Sequence, residues 1–179
     1  MVKFFFQASS NLKYENPIKL KNMTYSSYRN MLFIGLVPIS IVFSFGDILF
    51  SFVFGDAWAI AGDYARVLSI WLLLVFIASP LSLLFTVMEK EGVGLLFNLA
   101  IFISRIVSLL IGAMFFKSAL ITIILFAVSG IVFWLWNCVY ILKLVGISYW
   151  KSLLGTLSVI IIALSISLMI RFLIMHNIW

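Results

Sequence analysis

Charged residues are scarce in this sequence. Only 10% of its 179 residues are Asp, Glu, Lys or Arg, whereas 65% are apolar. A water-soluble domain has about 25% charged and about 45–50% apolar residues. The shortage of charge therefore excludes a water-soluble globule and predicts a chain whose surface is covered by lipid or by protein.

Cysteine and histidine are almost absent as well. The single cysteine, Cys138, excludes an intrachain disulfide, and its place in an apolar segment predicts a small buried residue. The single histidine, His176, has no second ligand at zinc-binding spacing. The sequence also lacks a phosphate-binding loop, a Gly-x-Ser-x-Gly motif and a His-Glu-x-x-His motif. We therefore expect no metal, no cofactor and no enzymatic activity.

Long apolar runs make up most of the chain. Residues 67–88 form one such run, and a helix of that length spans about 33 Å, against a hydrocarbon core of about 30 Å. Pro38 lies inside an earlier run and is predicted to kink it. The sequence predicts an all-α, polytopic membrane protein whose bundle, residues 31–179, holds about five transmembrane helices. Their predicted bounds are 31–53, 67–88, 95–116, 119–142 and 152–175.

The first 30 residues differ from the rest in being rich in basic side chains. Residues 1–6 are predicted to be the tail of a preceding helix, and the remainder to be a basic cytoplasmic loop. Within it, residues 18–30 form either a helix on the membrane surface or a solvated loop. The basic residues here are Lys3, Lys13, Lys19, Lys21 and Arg29.

A polar stripe runs along the third predicted span. Arg105 lies at its middle, where an arginine costs at least about 2.5–3.5 kcal/mol in lipid. Helical spacing places Gly94, Asn98, Arg105, Ser108 and Gly112 on one face. This face must contact protein or water. We therefore interpret Arg105, Asn98 and Ser108 as a candidate substrate path.

Three further spans also carry polar side chains. Asp47, about two turns from the end of the first span, either faces the bundle interior or reaches the headgroups. Arg171 near the end of the fifth span is predicted to extend outwards to the interface. The hydroxyls of Ser79, Ser82 and Thr86 share a helical face that is typical of helix–helix packing.

The residues from Phe54 onwards, between the first and second predicted spans, resemble those of a known family. The pattern is Phe-Gly-x-x-Trp-x-x-Ala-Gly-x-Tyr, then a span containing Ser-Pro, then a charged turn and a span ending in Leu-Ile-Gly. This order resembles the C-terminal half of bacterial polysaccharide-unit flippases, of the multidrug/oligosaccharidyl-lipid/polysaccharide exporter superfamily. The resemblance covers roughly residues 1–145 and departs from the family at Gln7, where Pro is usual. The matching positions are Phe54, Gly55, Trp58, Ala61, Gly62, Tyr64, Ser79, Pro80, Arg105 and Leu110-Ile111-Gly112.

The resemblance implies a flippase that moves polyprenyl-diphosphate-linked oligosaccharides across the bacterial inner membrane. Its products would enter O-antigen, capsule or exopolysaccharide synthesis, and Arg105 would attract the diphosphate. Exporters of this superfamily resemble two facing six-helix bundles, and alternating access moves one against the other. Five spans supply part of one bundle. We therefore expect a missing N-terminal bundle, or another chain, to complete the transporter.

Other functions remain open from the residues alone. A drug or cation antiporter of the same superfamily would need carboxylates inside the membrane, and only Asp47 approaches that. An envelope enzyme would need a His or an acid cluster near one interface, for which only Asp56 and Asp63 qualify. A truncated, non-transporting scaffold is a third possibility. Nucleic-acid binding is not expected, because the basic residues flank apolar spans and suit anionic lipid.

The distribution of basic residues predicts the orientation. Eight lie on the side of the first segment, Lys90, Lys143 and Lys151, whereas three (Arg66, Lys117 and Arg171) lie on the other. Cytoplasmic loops carry the excess of Lys and Arg. The first 30 residues are therefore predicted to be cytoplasmic and the Phe54–Tyr64 turn external.

Cysteine labelling tests this orientation. With Cys138 replaced by Ser, single cysteines are placed at Ser26 and at Ala59. An impermeant thiol reagent applied to intact cells should modify only the cysteine at position 59, because position 26 lies inside the cell. Labelling at position 26 alone would show the opposite orientation.

Overall fold

Every regular element in the computed structural model is helical. The structure describes residues 2–177, with side chains for residues 9–150 and 152–176. Five stretches are long and apolar enough to cross a membrane: Pro17–Phe54, Asp56–Val87, Glu91–Phe116, Ala119–Leu144 and Ser152–His176. This confirms the all-α, polytopic prediction. The α-helices are α1 (Val2–Glu15), α2 (Pro17–Phe54), α3 (Ala59–Leu81), α4 (Leu84–Val87), α5 (Glu91–Ile111), α6 (Ala119–Leu144) and α7 (Tyr149–Asn177).

Residues 2–15 and 17–30 are helical, so the structure favours the helix over the solvated loop for residues 18–30. Helix α1 ends at Glu15, and α2 begins at Pro17 and continues without a loop into the first span. Pro17 at the first helical position, with Asn16 before it, favours a helix that begins here. The Asn16 side chain caps the helix by accepting a hydrogen bond from the Lys19 backbone N–H at 2.9 Å. The 38 residues of α2 span about 57 Å, so its basic beginning extends beyond the hydrocarbon core.

The irregularity in α2 lies at Phe45, not at Pro38. Phe45 has φ −124° and ψ 15°, whereas Pro38 lies within helical backbone. The Arg66 Nε–H donates to the carbonyl oxygen of Phe43 at 2.9 Å. A side chain that binds a backbone carbonyl in this way disturbs the helical hydrogen-bond ladder. The non-helical backbone at Phe45 thus coincides with a contact from α3, whereas the predicted kink at Pro38 is not accompanied by non-helical backbone angles.

The second span begins earlier than its apolar run indicates. Helix α3 starts at Ala59, after a short 3₁₀ turn, so Asp63 lies within the helix and not in a loop. The chain reverses at Gly55, whose φ of 96° suits glycine. Helix α3 ends at Leu81, one residue after Pro80, and α4 completes the span. A π-helical turn, Gly112–Phe116, extends α5.

Helix α3 lies at the centre of the bundle. It packs between α2 and α6, while α5 packs on α6 and α7 packs on α2 and α6. The tightest packing lies towards the predicted cytoplasmic end. Cys138 is fully buried there, as predicted. The largest fully buried side chains include Leu32, Leu73, Leu74, Ile77, Leu81, Leu84, Ile141 and Leu142.

An ion pair fastens α1 to the turn between α4 and α5. Lys13 Nζ lies 2.6 Å from Glu89 Oε1, and the Tyr14 hydroxyl donates to the same oxygen at 3.1 Å. The hydrogen bond from Lys13 lowers the pKa of Glu89, and the same bond raises the pKa of Lys13. The basic start of the chain is thereby held against the predicted cytoplasmic end of the bundle.

Two glycines let α2 and α3 cross in close contact. A Cβ on Gly62 would lie 2.6 Å from the carbonyl carbon of Gly46 and 2.7 Å from the Cα of Asp47. A Cβ on Gly46 would in turn lie 2.8 Å from the carbonyl oxygen of Gly62. Small residues at crossings of this kind bring membrane helices together. Gly62 is therefore a point of close approach between the two backbones.

Substitution at this crossing should destabilise the bundle. We expect Gly62→Ala to lower the free energy of unfolding by about 1–3 kcal/mol, because a methyl group forces two backbones apart. Gly155→Ala on α7 is the matched control, since a Cβ added to Gly155 would meet nothing within 4 Å. The control should raise stability by about 0.5–1 kcal/mol. Chemical unfolding in a bilayer mimetic measures both; equal effects would contradict the close contact.

Candidate functional site

Arg105 is held between two aromatic rings. Its guanidinium carbon lies 4.1 Å from the centre of the Trp71 ring on α3 and 3.8 Å from that of Phe126 on α6. Both terminal nitrogens are buried and have no hydrogen-bond partner among the described residues. A Cβ on Gly130 would lie 2.8 Å from Arg105 Nη2, so this glycine provides the room for the guanidinium. The two rings form an aromatic clamp that shields the cation at the α3–α5–α6 contact, so Arg105 does not lie in an open groove.

The later part of the polar stripe contacts α6 directly. Ser108 Oγ lies 3.0 Å from Ser129 Oγ and also donates to the Ser104 carbonyl oxygen at 2.7 Å. Gly112 packs against Thr122, and a Cβ there would lie 2.6 Å from the Thr122 Cα. Ser108 therefore joins two helices, which is a packing role.

Asn98 lies elsewhere, at the rim of a polar cavity near the predicted cytoplasmic end. The cavity has a volume of about 450 Å³ and is bounded by α3, α4, α5 and α6. Arg105 and Ser108 do not line it. The three predicted site residues therefore share a helix but not a cavity. The polar and aromatic lining consists of Ser79, Ser82, Phe85, Thr86, Glu91, Asn98, Trp134 and Asn137.

The hydroxyl face of the second span lines this cavity. Ser79, Ser82 and Thr86 were predicted to pack against a neighbouring helix, and that prediction was wrong. Thr86 and Ser79 are exposed rather than covered. Helix α3 ends at Leu81, so the face breaks across the turn into α4 and opens towards α5.

Asn137 was not singled out from the sequence, although it is the most deeply buried polar residue of the cavity. It is only 3% exposed, and its Oδ1 atom has no hydrogen-bond partner within the described part of the chain. A buried carbonyl oxygen left without a donor costs about 1–3 kcal/mol. An amide inside an apolar span was the available signal, but the cavity beside it depends on the tertiary arrangement.

Four charged side chains meet near the predicted external end of the bundle. Arg171 on α7 binds Asp47 on α2 through two hydrogen bonds, of 2.8 and 2.9 Å. Arg66 Nη1 lies 3.0 Å from Asp63 Oδ1 and 3.8 Å from Asp47 Oδ1. Arg171 also donates to the Ser44 carbonyl oxygen. The cluster joins α2, α3 and α7, and its formal charges cancel.

This cluster corrects the expectation for Arg171 and decides between the two alternatives for Asp47. Arg171 does not extend outwards to the interface; it turns towards α2 to bind Asp47, and its side chain is 16% exposed. Asp47, with a 25% exposed side chain, contacts the bundle and not only water. A bidentate arginine–carboxylate pair neutralises both charges near lipid, which neither residue achieves alone.

Comparison with known proteins does not assign this chain to a family. No protein-family model matches the sequence, and neither a characterised protein nor a solved structure is significantly similar to it. The five long apolar helices make it a multi-pass membrane protein. Among the described residues, no three His, Cys, Asp or Glu side chains come together as a metal site. The resemblance to polysaccharide-unit flippases stays a prediction.

The Asp47–Arg171 pair should stabilise the bundle measurably. Asp47→Asn is expected to lower the free energy of unfolding by about 1–3 kcal/mol. This is less than the roughly 3–5 kcal/mol of a fully buried pair, because both side chains keep some exposure. In a double-mutant cycle with Arg171→Gln, the double variant should lose less than the sum of the two single variants.

Asp56→Asn is the control for this cycle, because Asp56 is exposed in the turn before α3. Its effect should stay within about 0.5 kcal/mol. Additive effects of Asp47→Asn and Arg171→Gln would show that the pair is not formed in the membrane.

Proposed function

We propose that this chain forms part of a flippase for polyprenyl-diphosphate-linked oligosaccharides in the bacterial inner membrane. The observation that supports it most is the environment of Arg105. This cation lies within a membrane span, and no described residue accepts a hydrogen bond from its terminal nitrogens. A diphosphate supplies both the negative charge and the acceptor oxygens that a guanidinium binds strongly.

The aromatic rings around Arg105 stabilise its charge without neutralising it. Each cation–π contact contributes about 0.5–2 kcal/mol, which offsets part of the cost of placing an arginine in the membrane. Rings bind the face of the guanidinium and leave its N–H donors unused. The donors are therefore available to an anion once Trp71 or Phe126 moves aside.

A substrate reaches Arg105 only if α3, α5 and α6 shift relative to one another. Such a shift fits alternating access, in which one bundle moves against another around a central site. In this proposal the aromatic clamp shields Arg105 when no substrate is bound and releases it when the diphosphate enters. A second bundle, from the same polypeptide or another chain, provides the opposite wall.

The cation antiporter is less well supported than the flippase. Cation coupling needs an intramembrane carboxylate that is free to bind the ion. Asp47, the one carboxylate that the sequence suggested for this role, is bound by Arg171 at 2.8 and 2.9 Å and has Arg66 nearby. Arg105, by contrast, has its hydrogen-bonding capacity unused.

Substitution of Arg105 tests the proposal. In a bacterium that carries the gene, chromosomal Arg105→Ala should abolish display of surface polysaccharide. Arg105→Lys should retain part of it, because charge remains while bidentate geometry is lost. Surface polysaccharide is measured on whole cells, and the amount of membrane-inserted protein is measured by immunoblotting.

Arg29→Ala is the matched control, since Arg29 is exposed in the part of α2 that is predicted to be cytoplasmic. It should leave export unchanged. Full export by a normally inserted Arg105→Ala protein would reduce Arg105 to a packing role and favour the scaffold interpretation.

A further inference from the structure

The polar cavity near the α4–α5 turn has the features of a ligand site. Asn137 lines it with a buried Oδ1 atom that lacks a partner among the described residues. Its volume of about 450 Å³ falls in the range of small-molecule sites. We infer that this cavity binds the sugar that is attached directly to the diphosphate. The inference rests on the proposed flippase function and adds the position of the saccharide.

The lining suits a hydroxyl-rich ligand. Each sugar hydroxyl both donates and accepts hydrogen bonds, as do the amides of Asn137 and Asn98. A sugar hydroxyl that donates a hydrogen bond to Asn137 Oδ1 would satisfy this buried acceptor. Trp134 adds an aromatic surface on which the C–H face of a pyranose ring can stack. The Glu91 carboxylate accepts further hydroxyls and repels a phosphate, so the diphosphate itself does not belong in the cavity.

The position of the cavity relative to Arg105 supports this assignment. Asn98 and Arg105 are seven residues apart on α5, which is about 10.5 Å along the helix axis and nearly two full turns. Both therefore lie on the same side of α5. A diphosphate at Arg105 would direct its first sugar along α5 towards Asn98. The cavity also lies at the predicted cytoplasmic end, where a lipid-linked oligosaccharide enters.

Saturation-transfer NMR on the full chain in lipid nanodiscs tests the site. The probes are free N-acetylglucosamine and glucose, with tetramethylammonium as a cationic comparison. The wild-type protein should transfer saturation to at least one of the sugars. Asn137→Leu should weaken that binding about fivefold or more, as expected for loss of hydrogen bonds from a buried group. Trp134→Ala should weaken it as well.

The matched controls are Asn30→Leu and Trp150→Ala, both exposed and outside the cavity. They should leave sugar binding unchanged. Asn137→Leu removes an unpaired polar atom, so it should keep the thermal stability of the wild type, which separates lost binding from unfolding.

Three results would overturn the inference. Sugar signals that are the same in Asn137→Leu and wild type would place binding outside the cavity. Binding of tetramethylammonium without the sugars would make it a cation site, and no saturation transfer to any probe would make it a hydrated cavity. Surface polysaccharide that stays normal after deletion of the gene would instead overturn the flippase function and leave a measured sugar site in place.

Discussion

The placement of charge inside the membrane is the constraint on which this structure depends. A lone charge in hydrocarbon is costly, so each must be paired, shielded or brought to water. The Asp47–Arg171 pair meets this requirement by joining α2 to α7 through two short hydrogen bonds. Arg66 extends the network to α3 and binds a backbone carbonyl of α2. The carbonyl that Arg66 binds, that of Phe43, lies two residues before the non-helical Phe45.

Arg105 meets the constraint in a different way. Two aromatic rings cover its guanidinium, yet they leave its N–H groups without acceptors among the described residues. The Asp47–Arg171 pair supplies its own hydrogen-bond acceptors, whereas in our proposal the diphosphate supplies those for Arg105. That difference separates a structural charge from a candidate binding charge. Asn137 also has a buried carbonyl oxygen without a donor among the described residues, about three helical turns from Phe126 along α6.

The helical class was predictable from the sequence because it depends on length and hydropathy alone. The apolar runs identified all five spans, and the buried state of Cys138 followed from its surroundings. Contacts between distant segments were not predictable. Asp47 and Arg171 are 124 residues apart, and nothing local shows that their helices adjoin.

Polar faces could be located in the sequence, but their partners could not. The spacing of Ser79 and Ser82 correctly gives a shared helical side, yet whether that side meets a helix or a cavity depends on where α3 ends. The start of α2 was left open between a helix and a loop, because its apolar stripe is short. The structure shows the helix, which begins at Pro17 with the Asn16 side chain as its cap.

The proposed role of this chain is to help lipid-linked oligosaccharides to cross the inner membrane. The most direct measurement is the leaflet distribution of these lipids in a bacterium from which the gene has been deleted. Inner-membrane vesicles of known orientation are treated with a sugar-modifying enzyme that cannot cross the bilayer. Deletion should raise the fraction of lipid-linked oligosaccharide in the cytoplasmic leaflet while its synthesis continues. An unchanged distribution between leaflets, with normal surface polysaccharide, would contradict the claim.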